Sequence, residues 1–219
     1  MAFPYATALL AVPAAGAAVT AAIPESKEKA VRAFAVGVSL VALVISVALL
    51  VDFDKSVAGY QFVESKVWID ALGIRYLMGV DGISLFMVVL TGLLFPIALL
   101  ASTHVSKRAN AYFALMLMLE AALMGIFLSV DLFLFFVFWE AMLVPMYFLI
   151  GTWGYERRIY AALKFFIYTA AGSALLLLGI LSLAVLHAKA PGAHLTFDLR
   201  TLSDWKGLNP NTARWLFLA

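Results

Sequence analysis

Cysteine is absent from the 219-residue sequence, which excludes a disulfide framework, a thiolate metal site and iron–sulfur ligation by this chain. Charge is nearly as scarce. Charged residues make up 13% of the sequence, against about 25% in ordinary soluble domains. Hydrophobic residues make up 65%, and mean hydropathy is +1.02. These values describe a polytopic membrane protein of the all-α class. A formal net charge of +2, spread over short loops, is too small and too scattered for a nucleic-acid surface. Any redox centre serving this chain must sit on another one, and no cofactor is expected here.

What is present is a succession of apolar runs. Tyr5 to Ile23 is Ala-rich and lacks the basic start of a secretory signal. Its first positive charge, Lys27, follows the run, as expected of a retained span whose C-terminal end faces the cytoplasm. A second span, Ala33 to Val51, is nearly all Val, Ala and Leu; neither span shows anything chemical inside it. Asp52 to Gly79 is a long polar outer connection, in which Lys66 to Asp70 and Gly73 to Met78 alternate as a small hairpin would. Val80 to Ser84 (VDGIS) opens a third span reaching about Ser102, with Pro96 a kink position. A fourth covers Ala111 to Ser129. Only Val130 and Asp131 separate it from the fifth, so these two spans should form a tight antiparallel hairpin.

A basic turn at Gly154 to Arg158 leads to a sixth apolar segment, Ile159 to Leu186, longer than the roughly 20 residues a bilayer needs and hence tilted or projecting. A polar loop, His187 to Thr212, precedes ARWLFLA, the start of a seventh run. Such an ending is expected of a fragment, a gene break or a split subunit alike. The organisation expected is three N-terminal spans within 1–110, with an outer loop at 52–79, then spans four to six and the start of seven within 111–219.

Loop charge orients these spans. Loops 24–32, 103–110 and 152–158 hold seven basic residues (Lys27, Lys29, Arg32, Lys107, Arg108, Arg157, Arg158) against three acidic ones. The much longer opposite loops hold seven basic and eight acidic residues. Short basic loops stay in the cytoplasm, so the N-terminus is expected outside a bacterial inner membrane.

Spans one to three carry no Asp, Glu, Lys or Arg, whereas spans four, five and six carry Glu120, Glu140 and Lys164. From the helical rise, Glu140 lies roughly 14 Å in from the outer edge of its helix, Glu120 roughly 13 Å and Lys164 roughly 8 Å in from the inner edge. A carboxylate at the centre of a membrane helix costs roughly 2.5 to 3.5 kcal/mol and so needs a partner, a wet cavity or a bound proton. Pro145, five residues beyond Glu140, leaves the Ala141 carbonyl without its helical donor and weakens the helix beside that charge. Two carboxyl groups near the midplane on adjacent helices are the physical basis of a proton relay; the plainer reading of each is a neutral side chain hydrogen-bonded to a neighbouring helix.

Lys164 has two readings as well. It can snorkel to the cytoplasmic headgroups, or face protein along the stripe of Tyr160, Tyr168, Ala171, Gly172, Leu175 and Gly179. Phe133, Phe135, Phe136, Phe138 and Trp139 read as lipid-facing and packing groups. His104, His187 and His194 fall in loops without a ligand constellation, so no metal site is expected.

Several stretches resemble one family. DLFLFFVFWEAMLVPMYFLIGTWG (131–154) and RRIYAALKFFIYTAAGS (157–173) look like the antiporter-like M chain, subunit 4 in mitochondria, of proton-translocating NADH:quinone oxidoreductase, respiratory complex I. GVDGIS, EAALMGIFLSVDLF, TFDLRTL and RWLFLA fit the same pattern. The resemblance covers nearly everything from Val80 onward and is most specific over Ala111 to Ser173. It implies the first part of an inverted-repeat membrane fold and a proton-translocating subunit without redox chemistry of its own. NADH, flavin, iron–sulfur clusters and quinone would be bound by other subunits. Glu140 matches the family's essential glutamate of span five, Glu120 the acidic residue of span four and Lys164 the lysine of span six. The family continues through about fourteen spans in two inverted repeats, so its pairing lysine of span seven lies beyond this sequence. A D-type chain of a multisubunit cation/proton antiporter, or a membrane chain of a formate-linked hydrogenase, is the alternative.

Overall fold

A computed structural model of the protein describes residues 3–218. Among the described residues, six helices are long and apolar enough to cross a membrane. They are α1 (Tyr5–Ala22), α2 (Glu28–Asp52), α3 (Gly82–Ala101), α4 (Ala109–Leu128), α5 (Leu132–Trp153) and α6 (Arg158–Ala188). Two short helices follow, α7 (Leu199–Asp204) and α8 (Pro210–Leu218), the latter built on the opening of the seventh apolar run.

The expected hairpin is present and longer than the alternation suggested. Strands β1 (Gln61–Ile69) and β2 (Ile74–Val80) pair antiparallel, with Lys66 opposite Tyr76 and Gln61 opposite Val80. β2 is buried from Leu77 to Val80 because the ends of the helices cover it, which is why it continues past the polar segment that the sequence marks out. At its end Asp81 caps α3: Oδ1 accepts from Ile83 N (3.1 Å) and Ser84 N (2.7 Å), and Ser84 Oγ accepts from Asp81 N (2.9 Å). This reciprocal capping box satisfies donors a helix start leaves orphaned and explains VDGIS as a boundary.

α4 is the inner helix. It packs against α1, α2, α3 and α5, whereas α6 packs against α5. Two apolar clusters hold the bundle at its two ends. One gathers Leu9, Leu49, Met78, Val88, Met124 and Leu128 beside the hairpin; the other gathers Ala17, Val31, Ala35, Leu99, Phe113 and Leu117 at the opposite end. With lipid as solvent, close packing takes the place of hydrophobic collapse, and small residues permit it. The Phe138 ring of α5 lies directly over Gly125 of α4, so a methyl group there would fall well inside the ring's van der Waals surface. Gly125→Ala should therefore destabilise the α4–α5 pair by about 1–3 kcal/mol, the usual cost of overpacking. A melting temperature for the purified, detergent-solubilised protein equal to that of the wild type would show that the helices part without cost.

The α4–α5 connection is as tight as expected and is also woven into the hairpin. Val130 N donates to Leu77 O (2.9 Å), Leu132 N to Phe197 O (2.9 Å) and Leu199 N to Val130 O (3.0 Å). The segment after α6 thus crosses back over the start of α5. Gly73, in the β1–β2 turn with φ +66°, lies so close to the Leu195 carbonyl that no side chain fits there.

Candidate functional site

Glu120 is the deepest ionisable group, fully enclosed on the inner helix. Its Oε1 accepts a hydrogen bond of 2.9 Å from Ser39 Oγ of α2, and its Oε2 is buried without a partner. The sequence reading found nothing chemical in span two, and the structure overturns it. The buried seam of α2 is Val31, Ala35, Ser39, Ala42, Ser46 and Leu49, spaced to face one side, and its small residues bring a hydroxyl to the α4 carboxyl. One serine among alanines and valines carries no signal for this until the α2–α4 crossing is known.

Glu140 sits on α5, half-buried, and its Oε1 is also buried and unpartnered. α5 runs unbroken through Pro145. A buried carboxyl oxygen without a donor loses about 1–3 kcal/mol of hydrogen bonding, so each free oxygen needs a proton or a water to satisfy it. α4 and α5 pack side by side, which brings the two glutamate-bearing helices together, yet no direct hydrogen bond joins the two carboxyl groups among the described residues.

Lys164 stands apart from both. It is exposed on α6, and its Nζ lies 5.8 Å from the centre of the Tyr160 ring, which also carries the Arg157 guanidinium at 4.8 Å. Of its two readings, the one that faces protein needs the stripe of small and aromatic residues around it to be covered. In this chain it faces outward: Tyr168 is 83% exposed, and nothing lies within 4 Å of a side chain built at Gly172. The reason is that, among the described residues, the long helix α6 packs against is α5, and its other side turns away.

Of the histidines placed in loops, His187 belongs to the last turn of α6. It is buried, with Nδ1 3.3 Å from the His194 carbonyl and its ring edge-on to Trp205.

Three carboxylates to which the sequence assigns no role, Asp131, Asp198 and Glu64, do structural work at the hairpin end. Asp131 Oδ1 accepts from Phe133 N (2.9 Å) and Leu134 N (3.0 Å), capping α5, while Oδ2 accepts from Arg75 N of β2 (3.1 Å). Burial pushes its carboxyl above the usual range, opposed by those three N–H donors. Beside it Asp198 caps α7; burial pushes its carboxyl up, but the clasp of Arg200 and the Thr201 N–H together hold it below the usual range. Glu64 of β1 reaches the start of α1, accepting from Ala6 N (2.8 Å), Thr7 N and the Thr7 hydroxyl, a negative charge at a helix N-terminus supplied by a distant strand.

Comparison with known proteins bears on this arrangement. Residues 29–131 match the model for the amino terminus of NADH-ubiquinone oxidoreductase chain 4, and residues 129–219 match that for the NADH:quinone oxidoreductase/Mrp antiporter membrane region. The chain belongs to the subunit M, or chain 4, family. NADH-quinone oxidoreductase subunit M of Rhodobacter capsulatus is 43% identical over 176 residues, covering 78% of this chain and 34% of that one. A chain 4 of NAD(P)H-quinone oxidoreductase from Picosynechococcus is 39% identical over 203 residues, covering 92% and 36%. This chain thus spans about a third of the length of the curated relatives it matches.

The fold of this subunit M relative is shared with a chain of respiratory complex I from Thermus thermophilus (TM-score 0.82, 24% identity, 98% of this chain and 42% of that one). It is shared also with the Mrp complex from Dietzia (TM-score 0.73, 20% identity, 97% and 22%). The two family models meet at residues 129–131, the short connection that Asp131 anchors. Glu120 falls in the first, Glu140 and Lys164 in the second.

Proposed function

We propose that this chain is a membrane-arm, proton-translocating subunit of a redox-driven NADH:quinone oxidoreductase, carrying no redox centre itself. The observation that carries the reading is the pair of carboxyl groups on packed helices α4 and α5, each with a buried oxygen that no protein donor satisfies. The names of its subunit M and chain 4 relatives support the parent complex. NADH, flavin, iron–sulfur clusters and quinone then belong to other subunits, and the chain's partners are those subunits and the bilayer. Basic short loops support an N-terminus outside the bacterial inner membrane. Within this proposal residues 111–219 begin the first antiporter-like repeat, and Glu140, Glu120 and Lys164 are its proton-handling groups.

Fold likeness to the Mrp complex favours a second reading, a chain of a cation/proton antiporter. The two diverge in a direct measurement. Vesicles holding the complete complex should take up protons when NADH and a quinone are supplied. Proton movement that follows an imposed sodium gradient and ignores NADH would establish the antiporter instead.

Lys164 separates relay from membrane anchor. As a relay group its proton partner lies outside the described chain, and Lys164→Arg should cut redox-driven proton uptake severalfold, because a guanidinium does not release its proton. Uptake near wild type in Lys164→Arg would make Lys164 a headgroup anchor, since arginine snorkels equally well.

A further inference from the structure

The buried hydroxyls of the membrane helices mostly turn inward on their own backbone. Thr20 donates to Gly16 O (2.7 Å), Ser46 to Leu43 O (2.8 Å) and Thr91 to Met87 O (2.8 Å). Ser39 does otherwise. It is fully buried, 81 residues from Glu120 in sequence, and donates across the α2–α4 interface to the carboxyl. The bond lies between the two apolar clusters: Ala35 and Leu117, one turn to one side, belong to one, and Met124, one turn to the other, belongs to its counterpart. Water is thus displaced at both ends of the pair, and a hydrogen bond in such a setting fixes geometry more strongly than one in water.

We propose that Ser39 is the positioning residue of Glu120: by occupying Oε1 it holds the carboxyl in one orientation and reserves Oε2 as the oxygen that gains and loses the proton. A carboxyl group with neither oxygen engaged rotates freely about its last bond, and either oxygen then serves. With Oε1 held by a donor, the orphan Oε2 is the sole open acceptor, and the proton arrives at and leaves from one point on α4. α2, silent in the sequence, thereby becomes part of the proton-handling unit.

This inference rests on the proposed function for Glu120, and its test separates the two. The complete complex carrying Ser39→Ala, Ser39→Thr or Glu120→Gln is reconstituted, and two quantities are read. One is the proton uptake per quinone reduced. The other is the redox-induced infrared signal of the Glu120 carboxyl, assigned by its disappearance in Glu120→Gln. Ser39→Ala should displace that signal, its carbonyl component to higher wavenumber on losing a donor, and should lower the uptake per quinone reduced severalfold. Ser39→Thr, which keeps the hydroxyl, should restore both. A signal and an uptake in Ser39→Ala identical to wild type overturn the positioning role. Loss of uptake with an undisplaced signal overturns it too, since that pattern reports packing alone. Wild-type uptake in Glu120→Gln would instead sink the function assigned to Glu120, while the displaced signal in Ser39→Ala would still read the hydrogen bond.

Discussion

Glu140→Gln should remove most of the redox-driven proton uptake while leaving the complex assembled. The amide reproduces the size and polarity of the side chain but exchanges no proton, so the fold keeps its packing and the relay loses a member. Packing should survive because Glu140 is only half-buried, and among the described residues no hydrogen bond or ion pair depends on its charge. Its buried Oε1 has no protein donor to lose. Uptake into inverted membrane vesicles, measured beside the amount of assembled complex, checks this. Pumping at the wild-type level with normal assembly would exclude Glu140 from the proton path. Glu120→Gln should be the milder of the two; a deeper loss there than in Glu140→Gln would invert the order of importance.

The second large effect should come from Asp131, and it should be one of stability. This carboxyl joins three separate elements: it caps α5 through Phe133 and Leu134, holds β2 through Arg75, and lies in the connection bonded to the segment around Phe197. Loss of an N-cap costs about 1 kcal/mol, and each buried donor left unpaired costs about 1–3 kcal/mol more. Asp131→Ala removes both at once. It should lower the melting temperature of the purified complex and the amount of chain retained in the membrane. Asp131→Asn should be intermediate, because one oxygen still caps α5 while its amide now meets the Arg75 N–H donor to donor. Equal melting temperatures for wild type and Asp131→Ala would show that the apolar packing of α4 on α5 suffices without the tie.

Much of the fold was legible because each membrane span is a local property. Twenty consecutive apolar residues must satisfy their own backbone hydrogen bonds in lipid, and only a helix does so. The ends of α1, α3, α4 and α5 fall within two residues of the boundaries read from polar punctuation, with Asp81 and Asp131 marking starts by their capping chemistry. The departures have local causes as well. α2 begins at Glu28, ahead of the apolar run, because Glu28 and Arg32 pair one turn apart along a helix that extends beyond the membrane. α6 is longer still for want of a breaker before the Pro191–Gly192 turn.

By itself, then, the sequence determined the number of spans, their connections, the scarcity of charge within them and the three positions where charge occurs, since all of these follow from composition over windows of one helix. Apart from the α4–α5 hairpin, which its two-residue connection dictates, which helices touch was decided by tertiary structure. Apolar faces look alike to lipid and to one another, so nothing in a run of Val, Ala and Leu says that α4 lies inside against α1 and α2, that Ser39 meets Glu120, or that Lys164 faces away. Those choices rest on side-chain fit, such as Phe138 over Gly125, and on polar atoms that find partners only after distant segments have come together.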